Sequence, residues 1–136
     1  MSTDVFTPAK RSAVMRAVKG KNTKPEIAVR KLIWAAGHRY RLNARDLPGA
    51  PDIVMRPRKA AVFVHGCFWH GHDCKRGARM PKANAAYWRA KIARNMARDK
   101  AALAALKKQG WRALVIWECQ MKDEVALKRR LARFLA

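Results

Sequence analysis

The feature that most constrains the fold of this chain is a cluster of potential metal ligands in residues 65–74. Three histidines and two cysteines fall within ten residues, in the order His-Gly-Cys-Phe-Trp-His-Gly-His-Asp-Cys. Cys67, His72 and Cys74 have the spacing Cys-x4-His-x-Cys, and Cys119 can supply a fourth soft ligand. Such a set of three cysteines and one histidine is typical of structural zinc. A metal bound here would tie the loop to a strand beyond residues 75–118 and would make the loop rigid.

Two other interpretations of the cluster stay open at this point. Cys119 could be a buried apolar thiol, with the histidines as surface polar groups. Alternatively, Asp73 or His70 could take the place of His72 among the ligands. Disulfides are not expected, because the 3 cysteines cannot all pair within one chain and the N-terminus lacks the apolar stretch of a signal peptide.

The net charge predicts a polyanionic partner. The 136 residues include 31 Lys and Arg against 9 Asp and Glu, a formal charge of +22. Nucleic acid is the natural partner for such a chain, although a cationic surface that only aids solubility is the alternative. No membrane association is expected, because no apolar run approaches about 20 residues and no amphipathic anchor stands apart. We expect a cytoplasmic protein associated with the nucleoid.

The hydrophobic pattern predicts one α/β domain preceded by a basic arm. The length fits a single hydrophobic core. Residues 1–22 are predicted to form the basic N-terminal arm or helix, and residues 23–136 the folded domain. Apolar periodicity, caps and turn residues predict a helix from Thr23 to Gly37, strands at His38–Leu42, Ile53–Met55 and Ala60–Val64, a helix capped by Asn84 to Lys108, a strand at Trp111–Trp117 and a helix capped by Asp123. This order favours a mixed sheet with helices on both faces, and Ala60–Val64 is expected to be its central strand.

Residues able to hydrolyse a phosphodiester are expected at one end of this sheet. The reaction needs a divalent cation to neutralise the phosphate, a base to activate water, and help for the leaving oxygen. Asp52 stands where a loop enters a strand and can hold the cation. His65 and His70 follow the adjacent central strand, so the three side chains can converge. Considered alone, an Asp after Pro is more often a turn residue.

Several segments together carry a resemblance to a known family. They are Pro51-Asp52, residues 63–74 with the stretch Gly-Cys-Phe-Trp-His, Gly110-Trp111-Arg112 and Trp117-Glu118-Cys119. These segments are similar to the very short patch repair (Vsr) endonucleases, and the similarity runs from about Thr7 to Cys119. The resemblance implies a restriction-endonuclease-like fold, in which a mixed β-sheet flanked by helices carries a structural zinc site. Residues 23–136 would form its single catalytic domain.

The resemblance also implies an activity and its partners. Members of the family nick one strand of duplex DNA 5′ to the T of a T:G mismatch, the lesion left by deamination of 5-methylcytosine. We therefore expect a DNA repair hydrolase that depends on Mg²⁺ and acts as a monomer. It would have a functional link to a cytosine-5 DNA methyltransferase and to mismatch-repair proteins.

The catalytic roles implied by the resemblance fall on five residues. Asp52 matches the magnesium ligand, and the backbone carbonyl of Val64 would be a second ligand. Members of the family can carry Thr at that position, which Val can replace only if a carbonyl and no hydroxyl is required. His70 matches the proposed general base, and His65 would contact the scissile phosphate or help the leaving group. Glu26 matches an acid that holds metal-bound water, although it is also the capping-box Glu of its helix.

The remaining implied roles are zinc binding and DNA binding. The zinc ligands would be Cys67, His72, Cys74 and Cys119. Phe68, Trp69 and Trp88 match aromatic residues wedged into the base stack beside the mismatch, where unstacking costs least; core packing on a helix is the alternative for Trp88. DNA contacts would also come from Met15 and Arg16 in the arm, and from a helix face with Lys91, Asn95, Arg98 and Asp99.

Two other functions stay open. A nonenzymatic zinc-containing nucleic-acid-binding protein would need only the charge and the four zinc ligands, and would leave Asp52, His65 and His70 without a role. A related nuclease with different DNA specificity is the second. The predicted central strand, Ala60–Val64, carries no acidic-x-Lys element of the kind common in restriction-like nucleases, so His65 and His70 are expected to do work that a Lys often does.

Overall fold

In the part of the chain that the structure describes, three helices and four strands follow one another in the order that the sequence predicts. The computed structural model describes residues 23–75 and 80–136. The elements are helix α1 (Lys24–Ala35), strands β1 (Arg41–Leu42), β2 (Ile53–Met55) and β3 (Ala60–His65), helix α2 (Ala85–Lys108), strand β4 (Arg112–Trp117) and helix α3 (Glu124–Leu135). Short 3-10 helices lie at Arg56–Arg58 and Glu118–Lys122. The predicted arm, residues 1–22 with Met15 and Arg16, lies outside the described residues.

The four strands form one mixed sheet in the order β1-β2-β3-β4. β2 is antiparallel to both β1 and β3, whereas β3 and β4 run parallel and are connected through α2. A parallel pair needs a long crossover, which this helix supplies. β3 lies between two neighbours with almost every residue buried, so the predicted central strand is confirmed.

β1 is shorter than predicted. The sequence predicts a strand over His38–Leu42, but only Arg41 and Leu42 pair with β2. The His38 N–H donates instead to the carbonyl of Ile33, so the chain up to His38 still belongs to the C-terminal turn of α1. β2 is also only three residues long, which limits what β1 can pair with.

Helices cover both faces of the sheet. Alternate residues of β3 point to opposite faces, and β3 is apolar on both of them, so each face forms a core with a helix. Ala60 and Val62 belong to a core formed with α1 and α3. Helix α1 contributes Val29 and Ile33, and helix α3 contributes Leu127, Leu131 and Leu135. Ala61 and Phe63 belong to a second core formed with α2, which contributes Leu106. The predicted mixed sheet flanked by helices is confirmed, and none of the described helices is long and apolar enough to cross a membrane.

The helix ends confirm most of the predicted caps. The Thr23 hydroxyl accepts from the Glu26 N–H at 3.4 Å, and the Asp123 carboxylate accepts from the Ala126 N–H at 3.0 Å. Asn84 stands at the predicted N-cap position, directly before α2, but its backbone is left-handed, with φ 56° and ψ 36°, and its side chain makes no capping hydrogen bond. A capping side chain needs an extended backbone to reach the free N–H groups of the first turn.

Gly49 allows the loop before β2 to pack against α2 and β3. Its φ is +76°, and a Cβ added there would lie 2.6 Å from Ala102 Cβ and 3.1 Å from the Phe63 ring. No side chain fits at such distances. The close approach matters because this loop delivers Asp52 to the start of β2.

Substitution of Gly49 is expected to loosen this loop. Gly49→Ala should lower the free energy of unfolding by roughly 1–2 kcal/mol for the left-handed backbone and by a further 1–3 kcal/mol for overpacking. Urea denaturation measures the total loss in the free energy of unfolding. Gly37→Ala is the matched control, since Gly37 also has a positive φ, +92°, but nothing lies within 4 Å of an added Cβ. Equal losses in the two variants would contradict the packing role of Gly49.

Candidate active site and metal cluster

Asp52 is bonded directly to the end of the central strand. Its Oδ2 accepts a hydrogen bond from the backbone N–H of Val64 at 2.7 Å, and this bond places the carboxyl group next to His65. Burial is the main cause that raises the pKa of Asp52 to about 7. The nearby Glu26 also raises it, while the Val64 bond and Arg30 lower it. A buried carboxylate so poorly compensated by cations fits a divalent ion with oxygen ligands.

Glu26 and Arg30 form a buried ion pair on the neighbouring helix α1. Glu26 is 3% exposed, and its Oε2 accepts from Arg30 Nη2 at 3.2 Å, one helical turn away. Glu26 also lines the cavity that contains Asp52. The Thr23 hydroxyl bonds to the backbone N–H of Glu26, so capping through that backbone group leaves the carboxylate able to face the cavity.

His65 and His70 lie face to face in the same region. Their rings stack with centroids 3.8 Å apart and 4° between the planes. His70 Nδ1 lies 2.6 Å from Asp99 Oδ2, a contact that fixes the proton on Nδ1 and leaves Nε2 as the basic nitrogen. Burial, and secondarily His70, lower the pKa of His65 to about 3, so His65 is neutral at physiological pH. Its buried Nδ1 has no hydrogen-bond partner among the described residues.

One cavity of about 280 Å³ brings these groups together. Its lining includes Glu26, Asp52, Val64, His65, His70 and Asp99. The structure thus places the side chains in the arrangement that the sequence predicts for Asp52, His65 and His70. Val64 contributes its backbone N–H to Asp52, and its apolar side chain brings no hydroxyl to the cavity.

Cys67, His72, Cys74 and Cys119 form a second cluster beside the cavity. Their ligand atoms all lie within 4.8 Å of one another, so the cluster could hold a metal ion. Cys119 Sγ is 3.6 Å from His72 Nδ1, close to the roughly 3.6 Å that separates a sulfur and a nitrogen bound to one tetrahedral ion. Burial raises the pKa of Cys67 to about 12, and a bound cation would favour the ionised thiol.

The open alternatives for the cluster disagree with this geometry. Cys119 is not an isolated apolar thiol, because its Sγ lies 3.6 Å from His72 Nδ1 and within 4.8 Å of the ligand atoms of Cys67 and Cys74. Asp73 has a fully exposed side chain, and His70 is paired with Asp99. His72 is therefore the fourth member of the set.

The aromatic residues of the loop form a cluster with helix α2. Phe68, Trp69 and Trp88 meet edge to face, with pairwise centroid distances of 5.2, 5.7 and 5.7 Å. All three are half-buried. Trp88 thus packs against the loop and not within the main core, which the sequence left as an alternative for it.

Helix α2 presents the predicted polar face to the same loop. The Asn95 amide donates to the Trp69 carbonyl at 2.9 Å, and Lys91 Nζ lies 6.0 Å from the Trp69 ring centroid. Arg98 lines a cavity of about 400 Å³ that also contains Glu26, Phe68 and His70. These contacts place positive charge between the aromatic cluster and the active-site cavity.

Two residues of the site escaped the sequence interpretation. The sequence predicts Asp99 to be one of the DNA-facing side chains of α2 and does not predict its bond to His70. A usable signal is present, because Asp99 is the single acidic residue in a helix with seven Lys and Arg. Arg30 is not among the predicted site residues, although it stands four residues after Glu26, a spacing that places two side chains on one helix face.

Comparisons with known proteins bear on this arrangement of carboxylates, histidines and cysteines. Residues 3–76 match a family model described as DNA mismatch endonuclease Vsr. The chain belongs to the Vsr family of endonucleases. It is 34% identical to DNA mismatch endonuclease Vsr of Escherichia coli, over 97% of this chain and 87% of that protein.

Other members of the Vsr family are more similar to the chain. It is 49% identical to the type II nicking enzyme V.XorIIP of Xanthomonas oryzae, over 98% of this chain and 97% of that enzyme. It is 44% identical to the type II nicking enzyme V.NmeAIP of Neisseria meningitidis, over 98% of this chain and 94% of that enzyme. The resemblance stated from the sequence is therefore confirmed, and the chain is a Vsr-family DNA endonuclease.

Loss of one cysteine is expected to weaken the metal cluster and the fold together. Cys119→Ser should lower both the metal content of the purified protein and its melting temperature, because Cys119 connects β4 to the loop. Metal analysis and thermal denaturation test this. An unchanged metal stoichiometry in Cys119→Ser would show that Cys119 is not a metal ligand.

The buried carboxyl of Asp52 predicts a pH-dependent stability in protein that lacks magnesium. The folded-state pKa of about 7 lies above the ordinary value of 3.8, so the folded state holds a proton that the unfolded state releases. The contribution of Asp52 is therefore fully present below about pH 4 and is lost as the pH rises toward 7. Asp52→Asn should raise the melting temperature at pH 8 and change it little at pH 4. Equal effects at both pH values would contradict this assignment.

Proposed function

We propose that this endonuclease nicks one strand of duplex DNA 5′ to the T of a T:G mismatch, by magnesium-dependent hydrolysis. The observation that carries the proposal is the single cavity in which Asp52, Glu26, His65 and the His70–Asp99 pair meet, in a chain of the Vsr family. The lesion would arise from deamination of 5-methylcytosine, and the nick would begin its very short patch repair.

The acidic groups are proposed to hold magnesium. Asp52 would bind the ion directly, together with the backbone carbonyl of Val64, and Glu26 would hold water bound to it. Magnesium would neutralise the scissile phosphate and lower the pKa of the attacking water. The cation would also remove the cost of burying Asp52 in its ionised form. Arg30 already offsets part of the charge of Glu26, which allows two carboxyl groups to share this region.

The histidines are proposed to handle the proton and the phosphate. His70 Nε2 accepts the proton of the attacking water, and the Asp99 carboxylate stabilises the imidazolium that forms. His65 stays neutral beside the charged His70, because two stacked imidazolium rings would repel each other. We therefore assign His65, which lines the cavity, to a hydrogen bond with the scissile phosphate.

The cluster of three cysteines and His72 is proposed to bind structural zinc. Three thiolates and one imidazole form a closed set that leaves no position for a substrate. Zinc would hold the loop between β3 and α2 in one conformation. That conformation presents Phe68 and Trp69 on one side and His70 on the other.

Recognition of the mismatch is proposed to rest on the aromatic cluster and on basic side chains. Phe68, Trp69 and Trp88 would be wedged between bases, a step that costs a few kcal/mol and least at a mispair. Further DNA contacts are proposed for Lys91, Asn95 and Arg98, and for Met15 and Arg16 in the arm. With a charge of +22, nonspecific affinity should be high at low salt and fall as salt rises.

The proposal includes the wider setting of the enzyme. We infer a restriction-endonuclease-like fold for residues 23–136, because a mixed sheet with an active site at the end of its central strands agrees with it. A monomer suffices, since every proposed catalytic group comes from one chain. A functional link to a cytosine-5 DNA methyltransferase and to mismatch-repair proteins follows from the lesion.

A second candidate is a nick at another DNA structure or in another sequence context. It is favoured by the names of the 49% and 44% identical relatives, which are type II nicking enzymes. A nonenzymatic DNA-binding protein is disfavoured, because the proposed catalytic cavity would then have no role.

The experiment compares two duplexes that differ in one base. Zinc-loaded protein is mixed with magnesium and a labelled T:G duplex, or with the T:A duplex of the same sequence, between about 50 and 200 mM salt, a range over which nonspecific binding falls steeply. We expect a single nick 5′ to the T of the T:G duplex. Equal cutting of both duplexes supports the second candidate, and no cutting in several flanking sequences supports a binding protein.

Removal of Asp52 separates binding from cleavage. Asp52→Ala should abolish nicking and leave duplex affinity within about threefold, because it removes a metal ligand and no phosphate contact. Gel-shift and cleavage assays on the same duplex measure both. Asp46→Ala is the matched control: Asp46 lies on the same loop but is exposed and paired with Arg56, so nicking should persist. Undiminished turnover by Asp52→Ala would refute the proposed site.

A further inference from the structure

Trp117, the last residue of β4, lies between the metal cluster and the histidines of the cavity. Its indole stacks on the His72 ring, with centroids 4.2 Å apart and 17° between the planes. It also meets the His65 ring edge to face, at 5.1 Å and 74°. His65 in turn stacks on His70. Four rings in contact therefore lead from the metal cluster to the proposed base. We call these four rings, of His72, Trp117, His65 and His70, the ring row.

The backbone of Trp117 is fixed from two sides. It stands opposite His65 in the parallel pairing of β3 and β4. Its N–H donates to Gln120 Oε1 at 3.0 Å, and the same oxygen accepts from Arg130 Nη1 at 2.8 Å. The indole has only two rotatable bonds, so it is a stiff spacer once this backbone is held.

His65 depends on its ring neighbours for its orientation. Its buried Nδ1 has no hydrogen-bond partner in the described part of the chain, so no polar contact at that atom fixes the imidazole. The ring contacts are with Phe63, His70 and Trp117. Of these three, Trp117 is the one that also touches the metal cluster.

We propose that Trp117 is a positioning residue that transmits the rigidity of the metal cluster to His65 and His70. The catalytic part of this inference rests on the proposed function. The metal cluster fixes the His72 ring, the stack fixes the indole, and the indole fixes His65 and thereby His70. Because a displacement of about 1 Å can cost about 10²-fold in rate, such a mechanical contact has a measurable effect.

Three substitutions in and beside β4 test the position of the ring. Under single turnover with saturating enzyme, Trp117→Leu should lower the nicking rate by about 10²-fold and change the half-saturating DNA concentration by less than about threefold. Trp117→Phe keeps a ring and should recover most of the rate. Trp111→Leu is the matched control, because Trp111 precedes the same strand and packs in the core on the α2 face. It should lose stability but keep the rate.

His72→Cys tests the ring row without any change to Trp117. A set of four cysteine ligands still binds zinc tetrahedrally, so the variant should retain its metal while losing the imidazole that stacks on the indole. We expect a nicking rate about 10-fold below wild type, as for a smaller displacement of the histidines. If zinc acts only as a clamp on the loop, this variant keeps the wild-type rate. Should Trp117→Leu fail to fold, this variant and Trp117→Phe still decide the question.

A readout without activity keeps this inference separate from the proposed function. The chain has only 4 histidines, so their ring protons can be assigned by NMR in zinc-loaded protein without magnesium or DNA. We expect single sharp His65 and His70 signals in wild type and Trp111→Leu, and broadened or doubled signals in His72→Cys. Unchanged His65 signals together with a wild-type rate in His72→Cys would overturn the inference, as would an equal rate loss in Trp111→Leu. If wild type does not nick DNA, the proposed function fails and the NMR comparison still decides the ring row.

Discussion

The parallel pairing of β3 and β4 is the interaction on which both the active site and the metal cluster depend. It places His65 opposite Trp117, so the residues that follow each strand leave the sheet side by side. Cys67 and Cys119 meet there, and the backbone N–H of Cys119 donates to Cys67 Sγ. The pairing itself needs helix α2 as its crossover, and α2 supplies Asp99 to the same region. One topological constraint thus brings together side chains of the candidate site from three parts of the chain.

Charge burial gives the site its chemical character. Asp52 and Glu26 are carboxyl groups held out of water near each other, with Arg30 and the Val64 N–H as partial compensation. Two ionised carboxyl groups buried side by side destabilise the folded protein, and a divalent cation bound between them would remove this cost. His65 is buried and neutral because the same lack of water disfavours its charged form. The buried carboxyl groups are the reason why we propose that the cavity holds a divalent cation.

Most elements of the fold and most candidate residues could be predicted from the sequence. Apolar runs and caps indicated α1, the central strand and α3 close to their observed bounds. The unusual density of His and Cys identified the metal cluster. The prediction failed for β1, which is short because β2 offers few partners. Asn84 stands at the predicted N-cap position, but its side chain makes no capping bond because its backbone is left-handed. The predicted arm, with Met15 and Arg16, lies outside the described residues.

The sequence alone determined the kind of chemistry available to this protein, because residue types and their local spacing are properties of the chain. It supplied three cysteines and a histidine for a soft metal, a carboxylate and two histidines for a phosphodiester, and a charge suited to DNA. Only the tertiary structure decided which groups act on each other. The bond between His70 and Asp99 joins residues whose contact depends on packing. The same is true of the approach of Glu26 to Asp52 and of the indole of Trp117 between His72 and His65. Local spacing cannot specify such contacts, since they form only after the sheet and its helices are assembled.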